Sequence, residues 1–220
     1  MDISGQNDRA GKLAGVKPAR QKRSRQRRDE LFTSGMKLLC SRGLDEVSVA
    51  DITTECGYSI GTFYSRFDDK ESFFQALQQR AVDEVLSNIQ KEFSKPHWLS
   101  AAPEDVLSTT IDFLVHAFNS DVRGVIKESI VESRGATKSW LPIKDAGKAI
   151  TDVVVALLQH RFLKESPAAS EDSIRFGMQM VYGTLVQSLL NNPGPVALDD
   201  PAMPANLSRM LRGFVVLDQR

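Results

Sequence analysis

Residues 48–70 read SVADITTECGYSIGTFYSRFDDK, and the punctuation of this stretch decides the architecture. Ser48 precedes a short run in which Val49, Ile52 and Cys56 share one helical face. Serine is a good N-cap because its hydroxyl accepts from the free backbone N–H groups of the first turn. Gly57 closes that run, Ser59 opens a second short helix over residues 60–67, and Asp69 stands where it caps a longer helix from Lys70 to about Phe93. Two short helices joined across a tight glycine turn have the dimensions of a helix-turn-helix.

The pattern on both sides is helical as well. Leu31, Phe32, Met36, Leu38 and Leu39 recur at helical spacing and predict a helix from about Arg25 to Cys40, ended by Gly43. Downstream, Leu107, Ile111, Leu114, Val115 and Phe118 form one stripe on a helix starting near Pro103. Further helices are predicted at about 122–133, from Pro142 to Lys164 before Pro167, from Ser170 to Asn191, and from Pro204 to Leu217. No stretch shows period-2 alternation between hairpin turns, so the expected fold class is all-α with about nine helices. The 170–191 helix is apolar on more than one side: Ile174, Met178, Val181 and Leu185 on one, Phe176, Met180, Tyr182 and Val186 on others. One of its faces should therefore meet a surface beyond its own core.

The 28 basic and 28 acidic side chains balance, yet residues 1–28 hold nine basic against two acidic ones and residues 71–220 hold 15 against 18. A basic cluster at one end of the chain attracts phosphate through steering and counterion release, which makes nucleic acid the leading partner class. The glycines and few apolar residues of the first stretch predict disorder to about residue 20. The expected organisation is a basic, disordered arm at 1–22, a helix-turn-helix domain at 23–70, and a further helical domain at 71–220.

Several classes are excluded. Cys40 and Cys56 stand sixteen residues apart with no CxxC and no neighbouring histidine, so neither a disulfide framework nor a zinc site is expected. No apolar run approaches a membrane span and the start, MDISGQNDRAGK, lacks the apolar core of a signal peptide, which points to the cytoplasm. GxSxG, HExxH, P-loop and Rossmann glycine patterns are missing, so no enzyme and no cofactor is expected, and the scattered His97, His116 and His160 do not make a metal set.

The ordered set LLCSRG (38–43), SVADITTECG (48–57), GTFYSRF (61–67) and Lys70 resembles the DNA-binding domain of the tetracycline-repressor (TetR) family of bacterial regulators. The likeness covers about residues 25–75, and the helices behind it are similar to that family's ligand and dimerisation domain. It implies a homodimeric, ligand-responsive repressor of a pseudo-palindromic double-stranded operator. Redox control through Cys40 and Cys56, or transcriptional activation on the same fold, are the alternatives.

On this reading Phe63 and Phe67 pack the recognition helix inward, while Gly61 allows close approach to the duplex. Thr62 offers a methyl or hydroxyl, and Tyr64 resembles the family tyrosine that contacts backbone or a thymine methyl. Ser48, Ser59 and Lys70 are phosphate candidates, with Ile60, Ser65, Arg25 and Arg28 also assigned to the DNA face. Ile60 and Arg66 depart from the family pattern, and Arg66 either binds guanine or pairs with Asp68 or Asp69. Phe74, Trp98, Phe113, His116, Phe118, Arg123, Trp140 and Met178 are pocket candidates, with Glu128 a further polar anchor; His116 is equally explained by a pair with Asp112. Met180, Gly183, Thr184, Gln187, Leu211 and Phe214 are assigned to a dimer interface.

Overall fold

The computed structural model describes residues 13–17, 22–133, 141–159 and 171–217, without the side chains of Lys22 and residues 214–217. Among these residues the protein has nine α-helices: α1 (Lys22–Leu39), α2 (Val49–Glu55), α3 (Ile60–Tyr64), α4 (Lys70–Phe93), α5 (Pro103–Asn119), α6 (Val122–Glu132), α7 (Leu141–Gln159), α8 (Glu171–Asn191) and α9 (Ala202–Leu217). A single 3-10 turn, Pro96–Leu99, follows α4, and one isolated antiparallel bridge joins Val16 to Phe67.

The chain forms two compact units. The first comprises Met1–Glu84 with Asp121–Ile143, the second Val85–Ser120 with Lys144–Arg220. This division differs from the boundary expected at 70/71, for two reasons. Phe73 in the first half of α4 packs against Phe63 and Phe67 of the helix-turn-helix, and α6 packs on α1 rather than with its neighbours in sequence.

Four phenylalanines build the core of the first unit. Phe32 of α1, Phe63 of α3, Phe67 just beyond it and Phe73 of α4 are all buried, with ring centroids 5.0–5.8 Å apart. Offset and edge contacts at such distances add to the stabilisation from area burial alone. Helix α1 approaches α4 closely because residue 35 is glycine; a Cβ there would stand 2.7 Å from Cζ of Phe73. The docking of α6 on α1 is tighter still, for a Cβ on Gly124 would lie 2.5 Å from the Leu39 carbonyl oxygen and 2.7 Å from Cys40 N. The buried Glu128 of α6 accepts a hydrogen bond from Leu44 N at 2.8 Å, and the Leu44 carbonyl accepts one from Lys70 Nζ at 2.9 Å. The loop before α2 is thus clasped at one residue from α6 and from α4. Gln78 donates to Ser129 Oγ at 2.8 Å and adds a second buried link between the same two helices.

In the second unit the predicted α5 stripe is buried, Leu107, Ile111, Leu114, Val115 and Phe118 among it, and α5 packs against α8 and α9. Ile174, Met178, Val181 and Leu185 of α8 and Ile150, Val154 and Leu158 of α7 complete the core. The Tyr182 hydroxyl donates to the Gly147 carbonyl at 2.9 Å, and burial pushes its pKa up to about 12.

Several expectations need correction. Residues 13–17 lie inside the stretch expected to be disordered, yet Val16 is buried because it pairs with Phe67. Helix α1 begins three residues earlier than predicted, at Lys22, and α3 ends at Tyr64 because Phe67 leaves the helix for that bridge. Helix α9 starts at Ala202, before Pro204, since the Asp200 carboxylate accepts from Ala202 N at 2.8 Å. The predicted end of α7 at Lys164 lies outside the described residues.

Candidate nucleic-acid interface

Helix α2 starts where the sequence places it because Ser48 and Asp51 form a capping box. Ser48 Oγ accepts from Asp51 N at 3.1 Å, and the Asp51 carboxylate accepts from Ser48 N at 2.8 Å. The Arg42 guanidinium, 2.8 Å from that carboxylate, and the Ser48 donors hold the Asp51 carboxyl well below the usual carboxylate range. The Ser48 hydroxyl also donates to Asp51, so it serves the cap. Gly57 takes the left-handed conformation, φ 71°, which glycine adopts without a Cβ penalty, and this makes the tight turn into α3.

Tyr58, in that turn, is a residue that sequence reasoning misses. Its hydroxyl donates to the Glu30 carboxylate and the Arg27 guanidinium lies 5.9 Å from its ring, so the turn is tied to α1. The bond lowers the Glu30 pKa and raises that of Tyr58. A tyrosine after the turn glycine, with an acid and an arginine on the preceding helix, was the available signal. Lys37 and Glu55 make a further link from α1 to the end of α2.

Helix α3 has one buried anchor and an exposed edge. Phe63 is fully buried, whereas Ile60 is 48% and Tyr64 47% exposed, with Ser59, Gly61 and Ser65 also open and Thr62 half-buried. The structure therefore brings together the predicted recognition residues 59–65 on one side of the first unit. Ser59 forms no side-chain cap; its hydroxyl meets Thr62 Oγ1 at 3.2 Å instead, which corrects the capping role expected for it. Arg66 is half-buried and forms no ion pair with Asp68 or Asp69; Asp68 pairs with Lys17, and Asp69 caps α4 by accepting from Ser72 N at 2.7 Å.

Two basic candidates are placed elsewhere. Arg28 is 3% exposed with its guanidinium 6.0 Å from the Phe32 ring, because it shares the buried face of α1 with Leu31 and Phe32. Lys70 directs its ammonium to the Leu44 and Val47 carbonyls, at 2.9 and 3.3 Å, rather than outward. Arg25 is exposed on α1.

The pocket candidates do not gather. Phe74 and Arg123 belong to the first unit, the former buried and the latter exposed. His116 is exposed, no hydrogen bond or ion pair joins it to Asp112 among the described residues, and Trp140 lies outside those residues. Trp98 borders an open cleft of about 350 Å³ with Pro103, Val106, Leu157 and Leu158. Phe118 and Met178 are buried in the core of the second unit and Phe113 is half-buried there. Glu128 is buried in the first unit, where it accepts from Leu44 N.

Of the dimer candidates, Met180, Gly183, Thr184 and Gln187 line one groove of about 690 Å³ with Val196, Leu207 and Met210. Leu211 is fully buried in its own core, four residues after Leu207, and the side chain of Phe214 lies outside the described residues. The Cys40 thiol donates to the Asp121 carbonyl at 3.3 Å and that of Cys56 to the Ile52 carbonyl at 3.2 Å, both contacts at helix ends.

Residues 31–77 match the family model of bacterial regulatory proteins of the tetR family, a stretch from the second half of α1 into the first half of α4. The helix-turn-helix segment of this chain is thus of the tetR-family type. The fold of TetR-family regulators extends over nearly the whole chain. A regulator from Mesorhizobium loti superposes with a TM-score of 0.71 at 15% identity, covering 90% of this chain and 98% of that one. A Streptomyces coelicolor regulator gives 0.67 at 18%, covering 88% and 80%. The regulator FadR from Bacillus subtilis, whose structure holds stearoyl-CoA, gives 0.63 at 15%, covering 85% and 97%. In sequence, the chain is 25% identical over 100 residues to the HTH-type transcriptional regulator YwcC of Bacillus subtilis, a match spanning 43% of this chain and 45% of that relative. The TetR-type helix-turn-helix supports a DNA-binding regulator of transcription, and no helix among the described residues is long and apolar enough to cross a membrane.

Proposed function

We propose that the protein is a cytoplasmic, homodimeric repressor that holds a pseudo-palindromic operator through α3 and releases it when a small molecule enters the second unit. The observation that carries this reading is α3 itself. Five residues of helix are pinned by the buried Phe63, while Ile60, Gly61, Thr62 and Tyr64 stand on the open side, the arrangement by which a recognition helix offers its N-terminal residues to base edges. Tyr64 and Thr62 supply contacts to phosphate or thymine methyl, and Ile60 supplies an apolar one.

Dimerisation is supported by the open apolar face of α8 and α9, where Phe176 and Met180 are about half exposed beside Met210. An isologous contact on that face buries these side chains twice and pairs two recognition helices. Half-sites one helical turn apart, about 34–36 Å, are the matching operator geometry. FadR supports a ligand in the second unit only through shared fold, and makes a long-chain acyl-CoA the first effector class to test by release of bound DNA.

The test is Met180→Glu. A carboxylate placed against its own symmetry mate in an apolar interface costs several kcal/mol. Sedimentation is expected to show a dimer for the wild type and a monomer for the variant, with operator affinity reduced at least about 10-fold through loss of the second half-site. An unchanged dimer would remove this face as the interface.

A further inference from the structure

Residues 13–17 form a strap across the C-terminal end of α3, and they lie before the matched family segment. Gly15 turns the chain with φ 77°, and a Cβ there would meet Cβ of Ser72 at 2.8 Å, so only glycine fits. Val16 is 7% exposed in its antiparallel bridge with Phe67. Lys17 N donates to the Arg66 carbonyl at 2.7 Å and Asp68 N to the Gly15 carbonyl at 2.9 Å, which makes a two-sided backbone clasp around Phe67. The Lys17 ammonium then donates to the Tyr64 carbonyl at 3.0 Å and lies 3.1 Å from the Asp68 carboxylate.

The chemistry of this clasp is specific to a short helix. Five residues cannot repay the cost of helix nucleation, so α3 depends on tertiary restraint for its shape. Phe63 restrains its inner side, and at its C-terminal end the Gly61, Thr62 and Phe63 carbonyls accept from Ser65 N, Ser65 Oγ and the N–H groups of Arg66 and Phe67, so that the Tyr64 carbonyl is the one that reaches outward. The Lys17 ammonium takes that carbonyl, a place where the helix dipole favours a cation. The same ammonium offsets the charge of Asp68, which otherwise stands beside the face assigned to the phosphates.

We propose that residues 13–17 position α3 for DNA, with Lys17 as a positioning residue that acts through Tyr64 and Asp68 and makes no contact with DNA itself. The proposal rests on the reading of α3 as the recognition helix. It differs from a phosphate-contacting arm in what binding would show. A lysine that neutralises a phosphate contributes about 0.9 to the salt slope of log K and helps every sequence equally. A lysine that orients the recognition helix helps the specific site alone.

The experiment measures binding of full-length wild type, Lys17→Met, Lys17→Arg, Val16→Asp and Tyr64→Ala at several salt concentrations. The probes are the duplex that the wild type enriches from sheared source DNA and a scrambled duplex of equal length. Lys17→Met is expected to weaken the enriched duplex about 3- to 10-fold, the range of a charge-assisted surface contact, while the scrambled duplex and the salt slope stay unchanged. Lys17→Arg restores most of the loss. Val16→Asp forces a carboxylate into a buried position and is expected to cost at least about 10-fold; Lys17→Met, at an exposed site, carries the test if that variant does not fold. Equal loss on both duplexes with a slope lower by about 0.9 makes Lys17 a phosphate contact and overturns the proposal. Unchanged binding by Lys17→Met and Val16→Asp, with Tyr64→Ala defective, overturns it while leaving α3 as the reading helix. Unchanged binding by Tyr64→Ala removes α3 from that role, and the strap's role with it.

Discussion

Phe63→Ala is expected to lower the unfolding free energy of the first unit by about 4 kcal/mol, the range for removal of a buried aromatic ring. Phe63 is fully buried, and its ring centroid lies 5.2 Å from that of Phe67, 5.3 Å from Phe73 and 5.4 Å from Tyr64. The truncation leaves a cavity that the rings of α1 and α4 cannot fill without moving Phe32 and Phe73 from their own contacts. Phe63→Leu keeps most of the volume and is expected to cost less, about 1 to 1.5 kcal/mol. Urea unfolding followed by far-UV circular dichroism measures both. DNA binding by Phe63→Ala should fall even where the protein remains folded, since this is the buried side chain among the five residues of α3. A loss below about 1 kcal/mol would mean that α3 is not held by this cluster.

The clarity of this part of the molecule in the sequence has a physical cause. Caps, turn glycines and helical stripes act within a few residues, and α2, α3 and α4 start directly after Ser48, Ser59 and Asp69, where the sequence places them. Even the burial of Arg28 was legible, three and four residues before Leu31 and Phe32 on one face, although its charge suggested DNA. Leu211, four residues after the core residue Leu207, is a similar case.

What spacing does not carry is pairing between distant segments. The clasp of Leu44 by Glu128 and Lys70 uses a backbone donor and acceptor of the kind nearly every residue possesses, so no residue type marks it. Val16 follows Leu13 and Ala14 in a stretch with no strand alternation, so nothing shows that it pairs with Phe67. The grouping of α6 with the first unit depends on the missing side chain of Gly124, and a glycine inside a helix does not by itself reveal which backbone approaches it.

That glycine supplies the second large effect. Gly124→Ala is expected to destabilise the first unit by about 3 kcal/mol, an overpacking cost at the upper end because the obstructing atoms are backbone and cannot rotate away. Alanine's helix propensity offsets about 1 kcal/mol of the local cost, so the measured value is a net one. The methyl can be accommodated only if α6 lifts from the end of α1. The Glu128 bond to Leu44 and the Gln78 bond to Ser129 then lengthen. Gly213→Ala on α9 is the control: nothing lies within 4 Å of its Cβ position, and it is expected to leave stability unchanged or raise it by up to about 1 kcal/mol. The denaturant midpoint should therefore fall in Gly124→Ala and hold or rise in Gly213→Ala. Amide exchange at Leu44 and along α6 should accelerate in Gly124→Ala. Equal midpoints for the two variants would show that α6 is not seated against α1 at this residue.

The most direct measurement of the central claim is selection of bound fragments from sheared source DNA by full-length protein at about physiological salt, repeated with Tyr64→Ala. The wild type is expected to enrich a short inverted repeat, with half-sites about one helical turn apart, and the variant to lose that enrichment. Uniform recovery of fragments by both proteins, or the same repeat recovered by both, would contradict the assignment of sequence reading to the exposed face of α3.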